Sequence, residues 1–257
     1  MNAATPDQAP ILDIQGRIAT ITLSRPSVAN RLAPEDLDTI RSHLDLIHQR
    51  EEVLVLRFKA VGKYFCSGYD IASLGGSKEE NAESFGDFVD VVERARPVTI
   101  AAINGGVFGG ATDLSLACDF RIAVSHAEMF MPAARLGLHF YRSGMERYVN
   151  RLGLNTAKYL FLTCDKIDAQ KMLEIGFVTE VVEADKLDTT VDAWTDKLAA
   201  MAPIALLGMK KHLNRIARNE LDAQDLAKDI SRAEQSSDLK EALAAWKEKR
   251  KPVFTGK

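Results

Sequence analysis

The chain has 257 residues, 46% of them hydrophobic and 27% charged, with a formal net charge of −3. That balance supports a sizeable buried core and excludes a disordered polymer. The small negative charge argues against a mainly electrostatic nucleic-acid binder.

The first ten residues carry neither a basic head nor an apolar run, so they read as a loose arm and not as a secretory leader. Ile11–Gln15 and Ile18–Leu23 flank Gly16-Arg17 and read as a hairpin. The loop Ser24–Asn30 follows. Pro34, with Glu35 and Asp36 in the first turn, opens an amphipathic helix over 34–50, in which Leu37, Ile40, Leu44 and Ile47 recur at helical spacing. Val53–Phe58 reads as a buried strand. Further strands are predicted near 98–103, 119–124 and 177–182, alternating with helices, which points to an α/β core. From about Asp185 the pattern becomes helical, with apolar stripes broken near Pro203 and two more helices over 222–235 and 238–250. Residues 1–195 are therefore expected to form the core, and 196–257 a helical region that covers it or a neighbouring subunit.

The richest stretch is Ala101–Ala123, a buried strand, a glycine turn, a short helix and another strand. Gly105, Gly106, Gly109 and Gly110 let backbone approach closely. The N–H groups that open a helix lack internal partners and sit at the positive end of its dipole, so the turn suits an oxyanion. Asp113 lies one turn on. The pattern fits enolate chemistry, and it equally fits a tight strand-to-helix turn.

Other chemistries have no signature here. The sequence holds no Gly-x-Gly-x-x-Gly, no Walker lysine loop, no Gly-x-Ser-x-Gly and no His-Glu-x-x-His. The five histidines are dispersed, and no metal is expected. Cys66, Cys118 and Cys164 are scattered, which fits a reducing cytoplasm. The longest uncharged stretch, Pro97–Thr112, is too short and glycine-rich for a membrane span.

Several blocks, in order along nearly the whole chain, resemble the crotonase (enoyl-CoA hydratase/isomerase) superfamily. They are Ser24–Leu32, Lys63–Ile71, Arg96–Ala111, Leu116–Ala123, Thr163–Gln170 and Ala245–Phe254. The resemblance implies a ClpP/crotonase-like spiral of ββα units with a C-terminal helical region, assembled as a trimer or dimer of trimers. It implies an acyl-CoA thioester as substrate, with coenzyme A as part of that substrate and no separate cofactor. By motif match, the backbone N–H groups of Tyr69 and Gly110 form an oxyanion hole for the thioester oxygen.

Hydratases of the family use two glutamates. Asp113 stands at the first position and Ala133 at the second, so one carboxylate is kept and one lost. Hydration needs both water activation and proton delivery; isomerisation needs one base, and decarboxylation needs only the hole and a proton donor. Leu136–Tyr141 is similar to the methylmalonyl-CoA decarboxylase branch, with Tyr141 or His139 as a proton donor and Arg142 for an anionic acyl end. The alternatives are therefore hydratase or isomerase, decarboxylase, or a catalytically silent acyl-CoA binder. For coenzyme A the resemblance points to Arg25, Val28, Lys63, Ser67, Gly68 and Ile71. Lys249, Lys251 and Phe254 are expected to close over the nucleotide from the same or a neighbouring subunit. Asp70 reads as a structural acceptor.

Overall fold

A computed structural model describes residues 6–70 and 78–257, with side chains described for all of these except 78–83. Ile71 lies outside the described residues. The first pair of strands, β1 (Gln8–Gln15) and β2 (Ile18–Ser24), is antiparallel across Gly16-Arg17. The strand thus begins within the segment expected to be a loose arm. Gln8 pairs with Ser24 beyond an irregularity at Ile11, because backbone N–H and C=O groups on that edge find partners in β2.

Pro34 opens α1 (Pro34–His48), and the Asp36 carboxylate accepts the Ala33 N–H at 3.0 Å, completing the first turn. Then follow β3 (Val55–Ala60), β4 (Tyr64–Cys66) and α2 (Lys78–Glu93). The next unit is β5 (Val98–Ile103), β6 (Gly106–Phe108) and α3 (Gly110–Ala117). The third is β7 (Phe120–Val124), β8 (Glu128–Phe130) and α4 (Arg142–Leu152), extended by α5 (Leu154–Thr163). After β9 (Ile167–Asp168) and α6 (Ala169–Glu174), β10 (Glu180–Val182) returns to the sheet. Four helices end the chain: α7 (Leu187–Ala199), α8 (Pro203–Ala217), α9 (Ala223–Glu234) and α10 (Ser237–Glu248).

Among the described residues the strands make a six-stranded sheet in the order β1-β2-β3-β5-β7-β10 and a four-stranded sheet in the order β4-β6-β8-β9. All neighbours in the larger sheet from β2 onward are parallel. Each of β3, β5 and β7 sends its chain through one strand of the smaller sheet and then into a helix. This is the expected repeat of ββα units, and each repeat delivers its strand-to-helix turn to the same side. Every residue of β5 is buried, as a central parallel strand covered on both faces requires.

Two boundaries differ from the sequence reading for a visible reason. Val53 and Leu54 are buried but their N–H groups donate to Arg50 and Arg17 carbonyls, so the ladder of β3 starts at Val55. Phe177 and Val178 donate to the Met172 carbonyl and close α6, which leaves Glu180 to begin β10. The division drawn after residue 195 falls inside α7, which packs on β5 and β7.

Burial pushes the Cys66 and Cys118 thiols up to about 12. Neither is expected to react with a thiol reagent at pH 8 in the native protein, and both should label once the chain unfolds. Mass spectrometry of the labelled chain checks this; rapid native labelling of either would contradict it.

Candidate active site

The turn between β6 and α3 brings Gly109 and Gly110 against the loop that follows β4. A Cβ added to Gly68 would lie 2.7 Å from the Phe108 carbonyl oxygen and 3.0 Å from the Gly110 nitrogen. Gly68 also holds φ +98°, a left-handed conformation that L side chains rarely adopt. The glycine is therefore required twice over, by space and by backbone. It is what lets the two loops touch.

The amide directions follow from the local pairing. Leu32 bridges Tyr69 in parallel register: the Leu32 N–H donates to Gly68 O at 2.9 Å, and the Asp70 N–H donates to Leu32 O at 2.8 Å. In such a ladder the N–H of the middle residue points away from the partner strand. Among the described residues, the Tyr69 N–H meets no protein acceptor. Gly110 is the first residue of α3, so its N–H has no partner within the helix.

Asp113, on the next turn of α3, is fully buried. Its Oδ2 accepts the Tyr141 hydroxyl at 2.5 Å and Arg147 Nη1 at 2.5 Å. Its Oδ1 has no hydrogen-bond partner among the described residues. Arg147 comes from α4 and is buried to the last atom of its side chain; it also meets Asp90 at 2.5 Å and Glu93 at 3.0 Å, both on α2. Gly144 permits this approach, since a Cβ there would lie 3.0 Å from Asp113 Oδ2. Burial tends to raise Glu93, but Arg147 and Arg218 outweigh it and hold its carboxyl below the usual range. Burial, reinforced by the Asp113 charge, pushes the Tyr141 phenol well above its ordinary value.

The other expected site residues divide. Tyr141 joins Asp113. His139 is exposed and its Nδ1 lies 2.8 Å from the Phe140 carbonyl oxygen, while the Arg142 side chain is 90% exposed and pairs with Glu146 one turn along α4. Neither lies in the Asp113 cluster; the chain turns Phe140 and Tyr141 inward and leaves His139 and Arg142 exposed on either side. Ala133 is buried and brings no carboxylate.

Arg25, Val28, Lys63, Ser67 and Gly68 gather where the 25–30 loop lies on the ends of β3 and β4. The Ser67 N–H donates to Ala29 O at 2.9 Å, and Asn30 Nδ2 donates to Val61 O and Tyr64 O. The Arg25 guanidinium is engaged by Asp36 at 3.0 Å, whereas Lys63 is exposed and stands over the Tyr64 ring. Asp70 pairs with Arg31 at 3.3 Å. The C-terminal tail lies elsewhere. The Phe254 carbonyl accepts from Arg17, at the start of β2, while Arg25 follows its end, ~20 Å away along the strand. Within one chain, then, the Phe254 carbonyl lies at the opposite end of β2 from Arg25, and Lys249 ends α10 in a left-handed turn.

Sequence reasoning missed Arg147 and Phe85. An arginine in the charged helix Arg142–Leu152 reads as a solvated side chain. Only Gly144, one turn before it, hinted that this face packs closely. Phe85, on α2, lies against Gly110: a Cβ there would come within 2.7 Å of its ring.

The enoyl-CoA hydratase/isomerase family model matches residues 13–257. The short-chain-enoyl-CoA hydratase of Clostridium acetobutylicum is 31% identical over 249 residues, covering 94% of this chain and 95% of the relative. The trans-2-decenoyl-[acyl-carrier-protein] isomerase of Streptococcus mutans is 25% identical over 259 residues, covering 96% and 98%. A crystal structure of an enoyl-CoA hydratase/carnithine racemase from Magnetospirillum magneticum superposes with a TM-score of 0.91 at 26% identity, covering 99% of this chain and 98% of that one.

Proposed function

This chain belongs to the enoyl-CoA hydratase/isomerase family, and from that premise we propose that it is an acyl-CoA enzyme that stabilises a thioester enolate between the Tyr69 and Gly110 amides, with hydration not its principal reaction. The observation that carries this reading is the state of Asp113. The one retained carboxylate has Oδ2 occupied by Arg147 and Tyr141, and Ala133 supplies no second acid. Water addition needs one group to take a proton from water and another to deliver one to carbon. Among the described residues Asp113 Oδ1 keeps its acceptor capacity for the first task, but the second has no acid at Ala133.

Two amides preset on the thioester oxygen ask less of the side chains. They lower the energy of the enolate whichever bond breaks to form it, each worth ~2.7–4 kcal/mol of barrier in comparable holes. Loss of carbon dioxide from a malonyl-type thioester leaves its electron pair on the α-carbon, and one proton then completes the product. This decarboxylase reading needs no base, whereas isomerisation would have Asp113, with Oδ2 already engaged by Arg147 and Tyr141, remove a proton through Oδ1 alone. In this reading Tyr141 orders Asp113 and the proton's path. The Arg25–Gly68 loop would hold coenzyme A, and Lys249, Lys251 and Phe254 would reach it only from a neighbouring subunit of a trimer.

The test is a side-by-side assay of crotonyl-CoA, a 3-enoyl-CoA and methylmalonyl-CoA. Turnover of methylmalonyl-CoA well above hydration of crotonyl-CoA is expected; rapid hydration would defeat the reading. Tyr141→Phe should lower the favoured turnover by about 10²-fold or more, as loss of a positioned proton-transfer group does. Its stability should fall by only about 1.5–3 kcal/mol, the worth of a hydrogen bond to a charged group. Unchanged turnover in that variant would remove Tyr141 from the chemistry.

A further inference from the structure

We propose that Phe85 limits the length of the acyl group, so that the enzyme takes short-chain acyl thioesters and excludes long ones. This rests on the reading of Tyr69 and Gly110 as the residues that hold the thioester oxygen. Phe85 meets both. Its ring centroid is 5.3 Å from that of Tyr69, and the ring lies directly over the Gly110 Cα. The side chain is only 3% exposed, so the space it fills beside the two loops is not shared with solvent.

The ring is backed by two further aromatics. Phe88 lies 5.9 Å behind it on the same helix, and Tyr141 meets it edge-on at 6.2 Å. Tyr141 is itself stacked on Phe140 at 4.3 Å and tied to Asp113 through its hydroxyl. A Cβ on Gly86 would lie 2.7 Å from the Tyr141 ring, so α2 and Tyr141 are already in contact. Phe85 therefore cannot turn aside without displacing the half-buried Tyr141, whose hydroxyl is tied to Asp113. In the proposal, an acyl chain that leaves the two amides toward α2 meets this ring, which touches both Tyr69 and Gly110. Close-packed interiors yield little to an inserted methylene chain.

The experiment compares binding of butyryl-CoA and decanoyl-CoA, by calorimetry, to the wild-type protein, Phe85→Ala and Phe85→Leu. Neither ligand need react, so the result does not depend on which reaction is catalysed. The wild type should bind butyryl-CoA at least roughly tenfold more tightly than decanoyl-CoA, given that a single methylene can be worth ~10-fold in an apolar pocket. Phe85→Ala should shrink or reverse that ratio by roughly tenfold or more. Phe85→Leu, which preserves most of the packing, should move it in the same direction by less, and it serves if the alanine variant unfolds. Equal wild-type affinity for both esters, or an unchanged ratio in the folded variants, overturns the proposal while leaving the enolate reading intact. Failure of the wild type to bind any coenzyme A ester overturns both.

Discussion

Replacing Arg147 with methionine is expected to destabilise the fold by about 3–5 kcal/mol, a large fraction of the roughly 5–15 kcal/mol net stability of a typical domain. The guanidinium is fully buried and joins α4 to two elements at once, to Asp113 on α3 and to Asp90 and Glu93 on α2. Methionine fills much of the same volume, so the loss reports the stranded carboxylates more than a cavity. Asp113 already has one oxygen without a partner and would keep only the Tyr141 hydroxyl on the other. Equilibrium urea unfolding measures the effect; a change below about 1 kcal/mol would show the network to be dispensable. Adding Asp113→Asn to Arg147→Met should recover part of the loss, because the stranded charge is then gone.

The same network sets an acid limit. Glu93 is held below its unfolded value by Arg147 and Arg218 against the opposing effect of burial. Its contribution is fully present above the unfolded carboxyl value of about 4.3 and is lost as pH falls through the lower folded value. In Arg147→Met that depression is smaller, so less stability remains to be lost on acidification. The gap between variant and wild type should therefore narrow below about pH 4.

Gly68→Ala is expected to cost turnover by about 10²–10³-fold, the scale of losing one donor from an oxyanion hole. The added methyl would press on the Phe108 carbonyl and the Gly110 amide while the backbone stays at φ +98°, so the Tyr69 and Gly110 loops must separate. The strain lies at the end of β4, not in the large sheet, so the folded state should survive with reduced stability. Steady-state kinetics on the best substrate of the panel, with circular dichroism to verify the fold, decides it. Near-normal kcat in a folded Gly68→Ala protein would mean that the contact between the two loops does not matter to the reaction.

The C-terminal helices carry exposed apolar side chains, including Leu213 at 64%, Leu243 at 58% and Trp246 at 85%. No helix among the described residues is long and apolar enough to cross a membrane.

The sequence by itself determined most strands of the larger sheet, the first and last helices, and the glycine turn before α3. Period-two and period-3.6 patterns report which face of each strand or helix is buried, and these are local properties of neighbouring residues. Gly109 and Gly110 were visible for the same reason, since a backbone need leaves its mark at its own position, whereas Gly68 was reached only through the family resemblance. The absence of a second acid at Ala133 was equally plain. Only the tertiary structure decided what surrounds Asp113. Arg147 stands 34 residues away and Phe85 28 residues before it on another helix, and nothing in their own neighbourhoods distinguishes either from a surface arginine or an ordinary core aromatic. Whether a carboxylate is a free base or one end of a buried ion pair depends on which charges and hydroxyls the fold carries to it. Distance through space sets that interaction, and distance along the chain does not reveal it.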